Sequence, residues 1–456
     1  MAGISNYENE ILSSLGFNTN GVRGSIIPAP DSFSYPDVES SFPDNSIPLS
    51  KLQFLIYDAV IDQQGNGTHL TIRDALNSGK KRIFVRAGVY VLTADINLSS
   101  DVTIVGESKD TTIINCGSHT INIKDTSGSY STGIVQLTNG DATVVGSGTS
   151  WSGNISAGDY LYIAGYGVYK IASVTDDTHL ELEYTYYGGN ISSGYIIKSF
   201  IKNVNISNLY LKGSGSVFDF QDCINSSLNS LIIEGANAST AYGITSTTRL
   251  LKSTINDIKI FNVKRGLNLA VIQNSYINNI EIYGASENGV YCNSGCYDNN
   301  LSNILTYNCE IGATFLSNFR SNFINIISKY NNTRGLYLLN LQNCNLNKMQ
   351  ISLNGSNGIE LYQCRSNNIS GNQIYNNSNS SAGTYSNIIF SSSGSGSTYN
   401  NLVGNNIYST TGNEKYGIRE DNSSDDYNII DDNVLYGMTT DKISIQGANT
   451  QIGINT

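Results

Sequence analysis

Two glutamates of this chain, Glu287 and Glu310, have the type and spacing expected of a pair that cleaves a glycosidic bond. They stand 23 residues apart, each two residues before a glycine, with Lys264 in the same place one repeat earlier. If each repeat is one coil of a stacked structure, their backbones lie about 5 Å apart, which is the carboxylate separation of retaining glycosidases. Two stacked carboxylates also resist ionising together, which favours a general acid. We predict a catalytic pair, and the alternative is charges on a solvated turn.

Two aspartates, Asp219 and Asp222, form a second acidic candidate in the stretch Phe-Asp-Phe-Gln-Asp-Cys. Side chains alternate between the two faces of a strand, so residues three apart do not share a face. Glu234 is a further carboxylate that would join them. We keep both aspartates as candidate catalytic residues, with a purely structural role as the alternative.

Aromatic residues supply the candidate carbohydrate-binding positions. Tyr291 and Tyr337 each follow a repeat glycine by two residues, at outward positions two coils apart, which corresponds to roughly 10 Å. Spaced aromatic rings on a rod suit a chain of sugars, because Tyr combines an apolar ring face with a polar tip. Trp151, the single tryptophan, stands in a tyrosine-rich stretch and is the third candidate. Its alternative role is in the core of a small β module.

Metal and cofactor sites are not predicted. The three histidines, His69, His119 and His179, are dispersed along the chain. The seven cysteines show neither CxxC nor zinc-ligand spacing. We therefore expect no metal, no cofactor and no disulfide framework, and we expect free cysteines such as Cys292 to act as small buried hydrophobic residues.

A glycine repeat organises the chain around these candidates. The residue after each glycine is apolar, and the position two further on is apolar in five of the six repeats. This alternation predicts a strand with one buried face. The glycines of this repeat are spaced by 23 residues and are Gly243, Gly266, Gly289, Gly312, Gly335 and Gly358.

A fixed period of this length indicates a solenoid, a propeller or an array. Helical repeats would not tolerate this Gly and Asn content, propeller blades need about 40 residues or more, and the leucine-rich consensus is absent. Three short strands joined by turns fit 23 residues, which predicts an all-β parallel β-helix. The asparagine pairs suit left-handed turn positions, and stacked asparagines can hydrogen-bond into ladders along the axis.

The composition limits the partners. Only 14% of the residues are charged and the net charge is −11, so we expect no basic surface and no nucleic-acid partner. Thirty tyrosines with abundant Ser and Asn indicate a polar, uncharged surface that suits sugars. No stretch approaches the length of about 18 apolar residues that a membrane span needs. The N-terminus lacks the basic and apolar regions of a signal peptide. We therefore expect neither a membrane span nor a signal peptide.

Four segments are predicted along the chain. Residues 1–50 form an N-terminal anchor and a proline-rich neck, because all five prolines lie there, and a disordered terminus is the alternative. Residues 51–131 form a cap and the first coils. Residues 132–197 form an inserted small β-barrel or sandwich module, and residues 198–456 form the main parallel β-helix.

Two local signals support these segments. The stretch from Thr71 to Asn77 predicts a short helix ended by Gly79, which would cap the open end of the solenoid. The pair Asn139-Gly140 between two apolar runs predicts a hairpin turn at the start of the inserted module.

The run LTIRDALNSGKKRIFVRAGVYVLTADINLSSDVTIVGESKDTTII resembles the opening of pectate-lyase-like right-handed β-helix proteins. It contains the helix pattern I-x-x-A-L, followed by the strand patterns I-x-V-x-x-G-x-Y and V-T-I-x-G-E. With the later coils the resemblance covers about 51–131 and 198–456, and it implies a right-handed parallel β-helix. It does not define the activity, because this superfamily includes lyases, hydrolases, esterases and non-enzymatic adhesins.

Residues 132–197 are similar to a short module that recurs in bacteriophage tail proteins, with the pattern TNG-x-x-x-V-x-G-x-G-T-x-W. The two resemblances together imply a tailspike or related virion protein that recognises a host cell-surface polysaccharide. They also imply a homotrimer, attachment to the tail baseplate through the N-terminal segment, and release by lysis. Whether the protein degrades the polysaccharide, as a lyase or a glycoside hydrolase, is left open. The alternative is a non-enzymatic structural or adhesive β-helix of a virion or cell surface.

Overall fold

Almost all regular structure in the described part of this chain is β-strand. The computed structural model describes residues 56–125, 127–163, 166–236, 239–293 and 295–456. These ranges contain 43 strands and one helix, α1, at Ile72–Asn77. The predicted anchor and neck at residues 1–50 lie outside the described residues.

One parallel sheet of 20 strands follows the axis of the molecule. Its strands are Ala59–Ile61, Arg82–Val85, Gly88–Val91, Thr103–Gly106, Thr112–Gly117, Asn205–Gly213, Ser227–Gly235, Thr254–Phe261, Tyr276–Tyr283, Asn300–Tyr307, Asn322–Lys329, Asn345–Asn347, Gln350–Ser352, Asn368–Ser370, Gln373–Tyr375, Asn401–Val403, Asn406–Tyr408, Ile429–Asp431, Val434–Tyr436 and Gln451–Ile452.

A second parallel sheet of 16 strands faces it. Its strands are Ile96–Asn97, Ile121–Lys124, Ile201–Lys202, Ser216–Gln221, Cys223–Ile224, Tyr242–Leu251, Arg265–Gln273, Asn288–Cys292, Cys296–Tyr297, Ile311–Leu316, Asn318–Phe319, Leu336–Leu339, Ile359–Tyr362, Ser386–Ser391, Tyr416–Glu420 and Asp441–Ser444. We refer to the two as the 20-strand sheet and the 16-strand sheet.

Each coil contributes to both sheets. One coil passes from Asn300–Tyr307 in the 20-strand sheet to Ile311–Leu316 and Asn318–Phe319 in the 16-strand sheet. In the next coil, Asn322–Lys329 pairs in parallel with the first of these strands and Leu336–Leu339 with the second. Gln342 forms an isolated parallel bridge with Phe319 of the third. Crossovers between parallel strands are right-handed in nearly all proteins. The predicted right-handed parallel β-helix is confirmed.

The apolar core lies between the two sheets and follows the glycine repeat. The residues that directly follow the glycines pair in register from coil to coil and are fully buried, so the predicted register of the repeat is confirmed. These residues are Ile244, Leu267, Val290, Ala313, Leu336 and Ile359.

Close packing between coils explains the repeat glycines. A Cβ atom on Gly266 would lie 2.7 Å from the carbonyl oxygen of Gly289, and one on Gly289 would lie 2.6 Å from that of Gly312. Real Cβ contacts are longer than this, so a larger residue would push adjacent coils apart. Gly266 and Gly289 lie inside strands and do not have a positive φ, so close backbone approach is the reason for glycine at these positions.

Buried amide side chains connect successive coils at their corners. Asn367 Oδ1 accepts a hydrogen bond from the backbone N–H of Cys344 at 3.0 Å, and Asn367 Nδ2 donates to Asn400 Oδ1 at 2.9 Å. Asn400 repeats the arrangement one coil further on with Asn428. Each buried amide thus satisfies corner backbone groups that would otherwise be buried without partners. The predicted asparagine ladders are confirmed, as is the left-handed conformation of asparagines such as Asn279, which has φ 54° but lies inside the strand Tyr276–Tyr283 rather than at a turn.

One ladder contains a carboxyl group instead of an amide. Asn331, Asn354 and Asn377 follow one another in this ladder, and Glu414 Oε1 then accepts from the backbone N–H of Asn377. Glu414 is fully buried and its Oε2 atom has no hydrogen-bond partner. Burial raises the pKa of Glu414 above its usual range.

Helix α1 covers the first coil. Thr71 caps its N-terminus, because the side-chain oxygen of Thr71 accepts from the backbone N–H of Asp74 at 3.1 Å. Ile72 and Ala75 are buried and belong to the apolar core of the solenoid. The predicted capping helix is confirmed.

A small antiparallel sheet stands between two strands of the first complete coil, Ile121–Lys124 and Ile201–Lys202. We call it the module, and it has an apolar core of its own. Its first two strands form an antiparallel hairpin, as the Asn139-Gly140 turn predicts. Its seven strands are Ile134–Leu137, Asp141–Ser147, Tyr160–Ile163, Gly167–Val174, His179–Tyr186, Ile191–Ser193 and Ile196–Lys198. The boundaries of the four segments stay predictions.

The ladders predict that removing a single buried amide lowers the stability of the folded protein strongly. Asn405 accepts from the N–H of Asn372 and donates to the carbonyl of Ile369 and to Asn433. Asn405→Ala leaves these groups unsatisfied, so we expect the free energy of unfolding to fall by about 2 kcal/mol or more. Urea denaturation followed by circular dichroism measures this. Asn401→Ala, at an exposed position of the same coil, is the control and should change stability by less than about 0.5 kcal/mol. Equal effects would contradict the role of the ladder.

The burial of Glu414 predicts how the folding stability of the protein depends on pH. A carboxyl with a raised folded-state pKa keeps its proton longer in the folded than in the unfolded chain. Stability is therefore highest below the ordinary pKa of 4.5 and falls as the pH rises towards the folded-state value. Glu414→Gln removes this loss, so the variant should be more stable than the wild type at neutral pH, with a smaller difference in acid. Denaturation at both pH values tests this, with the exposed Asp110→Asn as control. A constant difference at both pH values would refute it.

Candidate functional site

One line of side chains follows the rod on the face of the 16-strand sheet away from the apolar core. Five of its ten members are half-buried, namely Asp219, Asn268, Tyr291, Tyr337 and Arg419, and the other five are buried. Because the strands are parallel and in register, equivalent residues of successive coils lie next to one another. We call this set the outer column. Its members are Asn122, Asp219, Thr245, Asn268, Tyr291, Thr314, Tyr337, Glu360, Ile389 and Arg419. The structure thus brings Asp219, Tyr291 and Tyr337, three of the predicted site residues, into one line.

Tyr291 lies beneath an arginine. The guanidinium carbon of Arg265 is 4.0 Å from the centre of the Tyr291 ring, within cation–π range. Arg265 is held there by two further contacts, with Glu287 Oε2 at 2.8 Å and with Asn268 Oδ1 at 2.9 Å. The result is a fixed group of a cation, an aromatic ring, a carboxylate and an amide on one face.

Tyr337 has a similar environment two coils further on. The guanidinium carbon of Arg334 is 4.8 Å from the centre of the Tyr337 ring, and Arg334 Nε donates to Glu360 Oε2 at 2.6 Å. Burial, and secondarily the nearby charge of Glu360, raises the pKa of Tyr337, so its hydroxyl stays protonated at neutral pH. Asn357 Nδ2 also donates to Glu360, at 3.2 Å.

The two candidate glutamates occupy consecutive coils but have different partners. Glu287 N–H donates to the carbonyl of Lys264, and the N–H of Ile311, next to Glu310, donates to the carbonyl of Glu287. The Glu287 carboxylate binds both cations beside it, Lys264 Nζ at 3.2 Å and Arg265 Nε at 2.8 Å. The Glu310 carboxylate accepts from Asn332 at 3.1 Å. The pair is stacked as the repeat predicts, and its catalytic role stays a prediction.

The two aspartates of the second candidate have no partner in common. Asp222 is buried and binds Arg249 Nε at 2.6 Å and Lys198 Nζ at 3.0 Å. Because Lys198 ends the last strand of the module, this ion cluster ties the module to the rod. Asp219 belongs to the outer column and accepts from Gln221 at 2.7 Å.

Trp151 lies inside the module rather than on its surface. Its side chain is 0% exposed, its indole N–H donates to the Tyr195 hydroxyl at 2.9 Å, and the two rings meet edge to face. A sugar ring has no access to it in this arrangement. The correction has a simple physical reason, because the largest apolar side chain of a small antiparallel sheet best fills its core.

Two further observations concern metals and membranes. Within the described ranges no three His, Cys, Asp or Glu side chains are grouped so that they could hold a metal ion. No helix in the same ranges is long and apolar enough to cross a membrane. All seven cysteines are buried free thiols, including Cys292.

The fold and this face define the molecule as a parallel β-helix with a polar, aromatic outer sheet. No family model matches the sequence, and no curated protein matches it significantly. The A-module of mannuronan C-5 epimerase AlgE4 from Azotobacter vinelandii has a similar fold, with 15% identity and a TM-score of 0.50 over 84% of this chain and 93% of that one.

Two phage proteins are also among the similar structures. The tailspike protein gp49 from Pseudomonas phage LKA1 is 11% identical, with a TM-score of 0.45 over 91% of this chain and 78% of that one. Tailspike protein 3 of bacteriophage CBA120 is 12% identical, with a TM-score of 0.46 over 82% of this chain and 58% of that one. At such identities the likeness is one of fold.

Proposed function

We propose that this protein binds a polysaccharide chain along the outer column of the 16-strand sheet. The observation that supports this is a line of mostly polar and aromatic side chains on one face, in which Asp219, Asn268, Tyr291, Tyr337 and Arg419 are partly exposed. Successive members are spaced by one coil, about 4.8 Å. A linear polymer of sugars presents hydroxyl groups and ring faces at regular intervals, and such a line offers matching partners to several sugars at once.

The contacts within the column favour binding because they hold the side chains in place before the ligand arrives. Arg265 is fixed by Glu287 and Asn268, and Arg334 is fixed by Glu360. Side chains that are already ordered lose less conformational entropy on binding, so more of the interaction free energy contributes to affinity. Each guanidinium carries five N–H donors, which leaves donors for sugar hydroxyl or carboxylate groups.

We further propose that the protein acts as part of a virion tail. The support is the similarity of residues 132–197 to a phage-tail module and of the first coils to pectate-lyase-like β-helix proteins. Homotrimer formation and attachment through residues 1–50 stay predictions, which light scattering on the full chain and on a chain lacking those residues can check.

The proposal predicts which tyrosines matter for binding. Tyr291→Ala and Tyr337→Ala should each weaken polysaccharide binding roughly tenfold or more, because a well-packed aromatic anchor contributes more than about 1 kcal/mol. Calorimetry against a panel of acidic and neutral bacterial polysaccharides measures the affinity. Tyr276→Ala, at an exposed position of the 20-strand sheet, is the matched control and should bind as the wild type does. Wild-type affinity in both column variants would exclude this face.

Cleavage of the bound chain is a second candidate function, and the surroundings of Glu287 favour it. A carboxylate between Lys264 and Arg265 resembles the combination that elimination needs, in which a base removes a proton while cations neutralise the acidic sugar. Hydrolysis would instead use Glu287 and Glu310 as the paired carboxyl groups. Either reaction would use residues on the same edge of the sheet.

The two reactions give different products, which allows a direct test. Lyase activity forms unsaturated ends that absorb ultraviolet light, whereas hydrolysis forms reducing ends alone. If the candidate acids are catalytic, Glu287→Gln or Glu310→Gln should lower kcat, the rate at saturating substrate, by about 10²- to 10⁴-fold. Asp110→Asn, an exposed residue far from these positions in the sequence, serves as control. Activity that survives both substitutions would discard these residues, and binding without cleavage would leave the first proposal alone.

A further inference from the structure

The module is fixed rigidly to the rod. A small apolar cluster of Phe200, Ile224 and Leu251 fills the contact, with Tyr160 and Val168 packed against it. Beside it the guanidinium carbon of Arg249 lies 4.6 Å from the centre of the Tyr162 ring, while Arg249 Nε binds the buried Asp222. A buried ion pair is costly to break, because separating the partners leaves an uncompensated buried charge. The space between module and rod is therefore formed in advance.

This space is a cleft made of two adjoining cavities, each about 230 Å³. Both cavities are lined by Val168 and Tyr169 from the module and by Gln273 and Asn274 from the rod. Because they share these four residues, the cavities lie side by side along the contact between module and rod. The cleft is thus elongated, which suits a segment of a chain better than a single compact ligand.

Aromatic rings face the cleft from both walls. On the module wall, Tyr166 is 50% exposed and Tyr184 is 75% exposed. On the rod wall, Tyr297 stacks on Phe319 with ring centres 5.1 Å apart and planes within 14°, which fixes the orientation of the Tyr297 ring. Exposed tyrosine rings next to the amide groups of Gln273 and Asn274 are side chains of the kind that stack on sugar rings and bind their hydroxyls.

The charges in the cleft favour an acidic ligand. Glu183 is paired with Lys170 at 2.5 Å, and Asp298 is paired with Arg320 at 2.8 Å. Lys252 also lines the cleft, is exposed, and forms no ion pair with another residue of the described ranges. Both carboxylates in the lining thus have cations of their own, so Lys252 leaves a positive charge without a counterpart, although the chain as a whole has a net charge of −11.

We propose that this cleft is a second saccharide-binding site, separate from the outer column, and that it takes a segment of an acidic oligosaccharide. The proposal rests on the proposed function, since the column and the cleft would hold different parts of one polysaccharide. In the cleft, sugar rings stack on Tyr166 and Tyr184, and a sugar carboxylate binds Lys252. The cleft contributes affinity and selects for charge, whereas any cleavage belongs to Glu287 and Glu310 beside the column.

Short acidic oligosaccharides test the site in the full-length protein. The probes are alginate, polygalacturonate and hyaluronan oligomers, each alongside its carboxyl-reduced neutral counterpart. We expect the double variant Tyr166→Ala/Tyr184→Ala and the single variant Lys252→Gln each to weaken calorimetric binding of an acidic oligomer tenfold or more. Lys252→Gln should leave binding of the neutral counterpart unchanged. Tyr187→Ala, which removes an 81% exposed module tyrosine outside the cleft lining, is the matched control. Thermal unfolding checks that all variants are folded.

The outcomes separate this proposal from the first. Loss of binding in the cleft variants with normal binding in Tyr291→Ala and Tyr337→Ala supports the cleft and counts against the column. Loss in the column variants with unchanged binding in the cleft variants overturns the cleft and leaves the proposed function intact. Equal binding of acidic and reduced oligomers, or no binding of any acidic oligomer to the wild type, also overturns the assignment of the cleft.

Discussion

The corners of a stacked coil leave backbone N–H groups that point along the axis into the interior, where no strand of a sheet pairs with them. Asn367, Asn400 and Asn428 satisfy these groups with side-chain oxygens, and their amide nitrogens continue to the next coil. Because an unsatisfied buried N–H costs free energy comparable to a lost hydrogen bond, each of these coils requires a side-chain oxygen from the next, which is an amide here and a serine hydroxyl at Ser253 and Ser275. The ladders therefore hold the corners of these coils in register, and the strands that follow the corners pair accordingly.

The functional face is a consequence of the same constraint. When coils are held in register, side chains that are separated by one coil in the sequence become direct neighbours on the surface. Tyr291, Thr314 and Tyr337 meet in this way without any loop to position them. The side-chain contacts then add a second layer of order, because Arg265 and Arg334 each connect a ring with a carboxylate. The polar groups that a ligand would contact are thereby held in fixed positions on the rod.

The glycine repeat was sufficient to predict the fold, the register of the core and the stacking of Glu287 above Glu310, because these depend only on the period and the alternation of side chains. It was not sufficient for the environment of the site. The partners of Glu287 depend on the rotamers of Lys264 and Arg265, which the spacing does not determine. The burial of Trp151 depends on how the module closes on itself, and the cleft depends on how the module docks. Docking is decided by an ion cluster between Lys198, Asp222 and Arg249, residues far apart in the sequence with no shared pattern.

The asparagine ladder also tolerates variation in the length of the chain between its members. The same contact joins Cys344 to Asn367 across 23 residues, Asn367 to Asn400 across 33, and Asn400 to Asn428 across 28. The additional residues leave the coil as loops, such as the serine-rich stretch between Phe390 and Tyr399, while the hydrogen bonds stay the same. Loop length and core geometry are thus independent of each other. A lineage carrying this fold can therefore insert, shorten or exchange loops to meet a new ligand without rebuilding the scaffold.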